Sequence, residues 1–193
     1  MDSYQLRYCL LSTIDDYTYV CAVDQLHNIK TDSFFVICNN QPSTENGMHW
    51  IAFHKSKQEK NVQFFDSFGL PLQFYPKQMI EFCKKHGINV SFSDKQYQSN
   101  FSDLCGNFSL YFLIKRAKGY TFDQIVKCFD TINLVENETI VKDFVSQNFK
   151  FPSFSECETF CKMECMKRGL DLSGVCIQQN KTCKRINSSL TTN

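Results

Sequence analysis

The sequence predicts an α+β domain with a helix buried at its centre, followed by a cysteine-rich tail. Three observations carry this. Short apolar runs broken by turn formers fill the first half of the chain. One later run is of helix length and apolar almost all round, as a buried helix is. The composition supplies a core: of 193 residues, 42% are hydrophobic and 19 are Phe, which excludes a disordered chain. That length fits one domain plus a small appendage.

The elements follow in order. Ser33–Cys38 (SFFVIC) reads as a buried strand, ended by the turn formers of Gln41–Gly47. Met48–His54 and Val62–Phe65 read as two further strands joined by a polar loop. Pro76–His86 has helical spacing, with Pro76 in its first turn and Gly87 at its end, and reads as a surface helix. Ile88–Phe92 alternates like a strand. Cys105–Lys118 is the buried helix. Thr121 caps a helix over Phe122–Phe129, and Asn137 or Glu138 opens another to about Gln147. No stretch reaches the roughly 18 apolar residues of a membrane span.

Lys plus Arg number 21 and Asp plus Glu 20, so a generally basic nucleic-acid binder is not indicated. The start of the chain shows no basic and apolar signal segment, so its 11 cysteines are expected as reduced thiols in an intracellular protein. Five of them, Cys157, Cys161, Cys165, Cys176 and Cys183, crowd the last 37 residues, which also carry a net charge of +3. Phe151-Pro152-Ser153 marks a seam, giving a domain over 1–150 and a basic, Cys-rich extension over 151–193.

The chemistry-bearing residues lie in the body. Cys105 opens the buried helix, where unpaired N–H groups and the positive dipole end favour a thiolate. A nucleophilic thiol needs a base, and His49 is the best placed. His54, at an odd strand offset, points the other way. His86 ends a surface-type helix and His27 sits in a polar loop. Asp66, ending the next strand, would lie beside His49 if the two strands are neighbours, and would hold its tautomer. The Cys105 N–H and the Gln98 side-chain amide are candidate donors to an oxyanion. Each residue also has an ordinary reading: Cys105 as a small buried apolar group, His49 as a satisfied core histidine, Asp66 as a turn residue.

Taken together, Gly47-Met48-His49-Trp50-Ile51-Ala52-Phe53, Phe64-Phe65-Asp66-Ser67-Phe68-Gly69 and Gln98 seven residues before Cys105-Gly106 resemble the adenovirus protease (adenain) family over roughly residues 1–150. The wider clan holds the SUMO and ubiquitin-like-protein proteases, and Asp103-Leu104-Cys105-Gly106 fits both groups. The resemblance implies a papain-like cysteine endopeptidase fold in permuted order. In it Cys105 attacks the scissile carbonyl and His49 exchanges the proton. Asp66 orients His49, Gln98 and the Cys105 N–H hold the oxyanion, and Trp50 walls the cleft. It also implies protein substrates, cleaved after small residues such as Gly in viral precursor proteins, and a location in the host nucleus or virion. No cofactor is required for the chemistry. An activating peptide or DNA is implied by the family, although Cys83 is a poor match to the peptide-linking cysteine and the charge is near zero. Two other functions remain open: an isopeptidase acting on a ubiquitin-like modifier, and a non-catalytic homologue acting as a binding or structural capsid factor.

The tail departs from the family. Cys157, Cys161 and Cys165 would share one face of a helix. A disulfide module, a zinc site and a set of free thiols on a mobile extension are all compatible with the five cysteines.

Overall fold

The computed structural model describes residues 1–169 of the chain. Five strands form one sheet in chain order: β1 (Thr18–Ala22), β2 (Phe34–Asn39), β3 (Trp50–Lys55), β4 (Val62–Phe65) and β5 (Val90–Phe92). The two outer pairs, β1 with β2 and β4 with β5, run parallel, and the inner pairs are antiparallel. The sheet is therefore mixed. Its parallel connections need crossovers, supplied by a 3₁₀ segment at Val23–Asn28 and by helix α2 (Lys77–His86).

All six residues of β2 are buried, because both faces of the sheet are covered. Phe35 and Ile37 face a core shared with the central helix α3 (Cys105–Ala117), and Phe34, Val36 and Cys38 face a second core under α2. In α3 every residue from Cys105 to Ile114 is buried, as its all-round apolar sequence requires. The short helix α4 (Phe122–Val126) starts at Thr121, whose hydroxyl accepts the Gln124 N–H.

Several elements differ from the sequence reading. Helix α1 (Ser3–Thr13) had no predicted counterpart; Asp2 and Gln5 form a capping box at its start. Its apolar residues make no single stripe because it is buried on two sides. Leu6, Cys9 and Leu10 enter the α3 core, while Tyr4 and Leu11 pack elsewhere. Helix α5 (Leu134–Asn148) opens earlier than expected, with Asn133 as its cap. Asn137 is instead a buried interior residue. Its amide donates to the Tyr97 and Asp130 carbonyls and accepts the Asp130 N–H. His86 is buried rather than at the surface, packed on Phe34 and Phe82.

The first part of the tail is folded. Helix α6 (Phe154–Lys167) begins at a Ser153–Glu156 capping box and buries Cys157, Cys161 and Cys165 against Tyr4 and Leu11 of α1. Arg168 then donates to the Leu11 and Ile14 carbonyls at 2.8 and 2.7 Å, closing the end of α1. Cys157, Cys161 and Cys165 thus act as small apolar residues in a helix–helix interface, and Cys157 and Cys161 are free thiols. Cys176, Cys183 and the basic residues Lys184 and Arg185 lie outside the described residues. Among those described, no helix is long and apolar enough to cross a membrane, and no group of three or more His, Cys, Asp or Glu could hold a metal ion.

Candidate active site

The sheet register assembles the site. Strands β3 and β4 are antiparallel, with Ala52 opposite Phe65, so the residue before β3 and the residue after β4 emerge at the same end. These are His49 and Asp66. The His49 Nε2 lies 2.5 Å from Asp66 Oδ1, with both side chains buried. Helix α3 delivers Cys105 to the same point, and the Ser109 hydroxyl, donating to the Trp50 carbonyl, ties the helix to β3. With Nε2 engaged by Asp66, Nδ1 is the nitrogen left for the hydrogen bond between His49 and Cys105.

The electrostatics of the three groups are coupled. Burial alone would lower the His49 pKa, but hydrogen bonds to Asp66 and Cys105 outweigh it and raise it to about 9. Burial alone would raise the Cys105 pKa, yet the His49 contact and the Trp50 backbone N–H bring it below the ordinary thiol value. The two shifts favour a thiolate–imidazolium pair over a neutral thiol and imidazole.

Asp66 also serves the chain itself. Its Oδ2 accepts the Leu70 N–H at 2.8 Å and its Oδ1 the Phe68 N–H at 3.2 Å. The ordinary reading as a turn residue and the reading as the partner of His49 both hold, on different lone pairs. The turn needs Gly69, at φ +71°, where a Cβ would sit 2.4 Å from the Lys95 carbonyl oxygen.

Gln98 is fully buried and joins the site from the loop before α3. Its Oε1 accepts the Ser67 hydroxyl at 2.6 Å, and its Nε2 donates to the Ser102 carbonyl at 2.8 Å. Together with His49, Trp50, Phe68 and Cys105 it lines a cleft of about 380 Å³. All four sequence-predicted residues, Cys105, His49, Asp66 and Gln98, therefore meet at one place.

Some neighbours went unassigned in the sequence. The Phe68 ring packs on the His49 ring with centroids 4.7 Å apart, and the Asn40 side chain accepts the His49 N–H at 3.2 Å. Asn39 accepts the Met48 N–H and lies against Gly47, at φ +78°, where a Cβ would meet its amide at 2.5 Å. Ser67 and Phe68 stand inside the motif around Asp66, so the signal was adjacent but carried no role by itself. His54 is separate from the site, as its strand offset predicted. It is buried beside Glu59 and Arg116, and burial and the Arg116 charge push its pKa down to about 4.

The family model for adenovirus endoproteases matches residues 24–152. The chain belongs to that family. It is accordingly a cysteine-type peptidase that acts on proteins. Among solved structures, the selenomethionine crystal structure of the ASFV pS273R protease is similar with a TM-score of 0.57 at 15% identity, over 79% of this chain and 68% of that one. At that identity the likeness establishes the fold. A second ASFV pS273R protease structure matches at 17% identity over 64% of this chain and 45% of that chain, with a TM-score of 0.43. The SUMO protease Ulp1, with its catalytic cysteine oxidised to a sulfinic acid, matches at 14% over 72% and 76%, with a TM-score of 0.35. A comparison with curated proteins gave no match. The fold, a five-stranded mixed sheet packed on a helix that begins at a cysteine, is thus similar to that of the ASFV pS273R protease.

Proposed function

We propose that this peptidase cleaves peptide bonds through an acyl-enzyme on Cys105. The carrying observation is the buried Cys105–His49–Asp66 arrangement, with the imidazole held between a thiol at a helix start and a carboxylate. Cys105 attacks the scissile carbonyl as the thiolate. The His49 imidazolium gives its proton to the leaving amine, and His49 then activates the water that releases the acyl group. Asp66 keeps the His49 proton on Nε2 and stabilises the cation. The Cys105 N–H, at the start of α3, and the second N–H of Gln98 receive the oxyanion. Trp50 walls the cleft beside the base.

The natural substrates in this reading are viral precursor proteins cut after small residues such as Gly, supported by the family. An activating peptide or DNA, and action in the host nucleus or virion, belong to the same reading on the family alone. The test is labelling by a thiol-reactive acyl probe, comparing wild type with Cys105→Ala and His49→Ala. Labelling is expected to vanish in the first and fall steeply in the second. Labelling indifferent to both substitutions overturns the assignment, and a Gly-containing peptide library then reads the specificity.

A further inference from the structure

We infer that Ser67 is a positioning residue for the oxyanion donor: its hydroxyl fixes the Gln98 amide so that one N–H is presented to the cleft. The inference rests on the reading of Cys105 as nucleophile and of Gln98 as an oxyanion donor, and goes one residue beyond it.

Gln98 is held by hydrogen bonds at both its backbone and its side chain. Its backbone N–H donates to the Ser67 carbonyl at 3.0 Å, beside the Tyr97 N–H on the same oxygen at 2.8 Å. Its side chain meets two partners of different character. The Ser102 carbonyl can only accept, so the amide nitrogen must face it, at 2.8 Å. That leaves Oε1 facing Ser67, whose hydroxyl donates to it at 2.6 Å. The two contacts together select one of the two amide orientations. An amide NH₂ has two donors, and the Ser102 carbonyl takes one. The other belongs to a side chain that borders the cleft with Cys105 and His49.

Ser67 itself is almost fully buried, at 2% exposure. It directly follows Asp66, so two consecutive side chains at the end of β4 serve the two halves of the site. Asp66 holds the base, and Ser67 holds the oxyanion donor. Without the Ser67 hydroxyl, Oε1 would be a buried acceptor with no partner, and the amide would be free to rotate about its terminal torsion, which has no sharp rotamer wells. Misplacing a preorganised donor loses transition-state stabilisation with little effect on ground-state binding.

The experiment compares wild type, Ser67→Ala, Ser67→Thr, Gln98→Ala and the Ser67→Ala/Gln98→Ala double variant. A fluorogenic peptide amide chosen from a Gly-containing library gives kcat and KM. Iodoacetamide gives the rate of carboxamidomethylation at Cys105 by peptide mass spectrometry. Alkylation needs the thiolate but forms no oxyanion, so it separates donor placement from damage to the Cys105–His49 pair. Ser67→Ala is expected to lower kcat roughly 10- to 100-fold, short of the 10²–10³ typical of deleting a donor outright. KM and the alkylation rate should stay within about two-fold of wild type. Ser67→Thr, which keeps the hydroxyl, should recover most of kcat, and the double variant should be little worse than Gln98→Ala. A wild-type kcat in Ser67→Ala overturns the inference, as does alkylation falling in step with kcat, or full multiplication of the two effects in the double variant. Hydrolysis that survives Cys105→Ala would overturn the parent reading instead, independently of Ser67.

Discussion

Replacing Asp66 by Asn should pull in the alkaline limb of the pH–activity profile. His49 stays protonated to about 9 against an ordinary 6.5, although burial works the other way, because the Asp66 and Cys105 contacts stabilise the cation. The difference corresponds to about 3 kcal/mol in favour of the imidazolium. Asp66→Asn keeps the shape but removes the charge, and its single carbonyl oxygen can keep only one of the two turn contacts, to Phe68 or to Leu70. A carboxylate in contact with a titrating group moves it by roughly 1–3 pH units, so the limb near pH 9 should fall by roughly one to two. A second loss comes from the tautomer. If the amide NH₂ faces Nε2, the neutral ring carries its proton on Nδ1, facing the sulfur, and cannot take a proton from it. Cases of that kind cost up to about 10⁴ in kcat. The assay is peptide hydrolysis and Cys105 carboxamidomethylation from about pH 6 to about pH 10. Superimposable wild-type and Asp66→Asn profiles would refute the argument, because no other carboxylate is within reach of Nε2 among the described residues.

Other consequences can be checked separately. Gly69→Ala places a Cβ 2.4 Å from the Lys95 carbonyl oxygen at φ +71°. It should cost roughly 1–3 kcal/mol in denaturant unfolding and reduce activity, since Asp66 and Ser67 are carried by the same turn. In native protein, iodoacetamide at short times should modify the exposed Cys128 well before Cys161, whose thiol burial pushes up to about 12; equal rates by mass spectrometry would mean that α6 is not docked on α1. The raised His49 pKa contributes stability that is complete below the unfolded value of 6.5 and is lost as pH rises through about 9. The Tm decrease across that interval should therefore shrink in His49→Gln, measured by calorimetry.

Much of this was readable in the chain because local patterns and local chemistry agree. Val62–Phe65 has three apolar residues of four, and Lys77–His86 follows Pro76 and precedes Gly87; both occur as elements at nearly the expected bounds. His49, Asp66 and Cys105 were identifiable because each sits at the end of an element, and Gln98 because it precedes Cys105 in the loop before α3, all within recognisable sequence motifs. Where the reading failed, a tertiary contact overrode the local signal. The apolar residues of α1 look scattered because α3 lies on one side of it and α6 on another. His86 looks like a surface residue beside Lys84 and Lys85, but the phenyl rings of Phe34 and Phe82 enclose it. Asn137 looks like a helix cap because it does cap backbone groups, though in the preceding loop and not in its own helix.

The sequence by itself determined the fold class, the order of the functional residues and the chemistry they offer, because periodicity, turn residues and side-chain type are properties of the chain. It could not determine that Ser67 grips Gln98 from 31 positions away, or that Cys157, Cys161 and Cys165 are packing residues against α1. Nor could it set the protonation of the Cys105–His49 pair. Those follow from distance and burial, which exist only once β3, β4 and α3 are brought to one corner of the sheet and water is excluded from it.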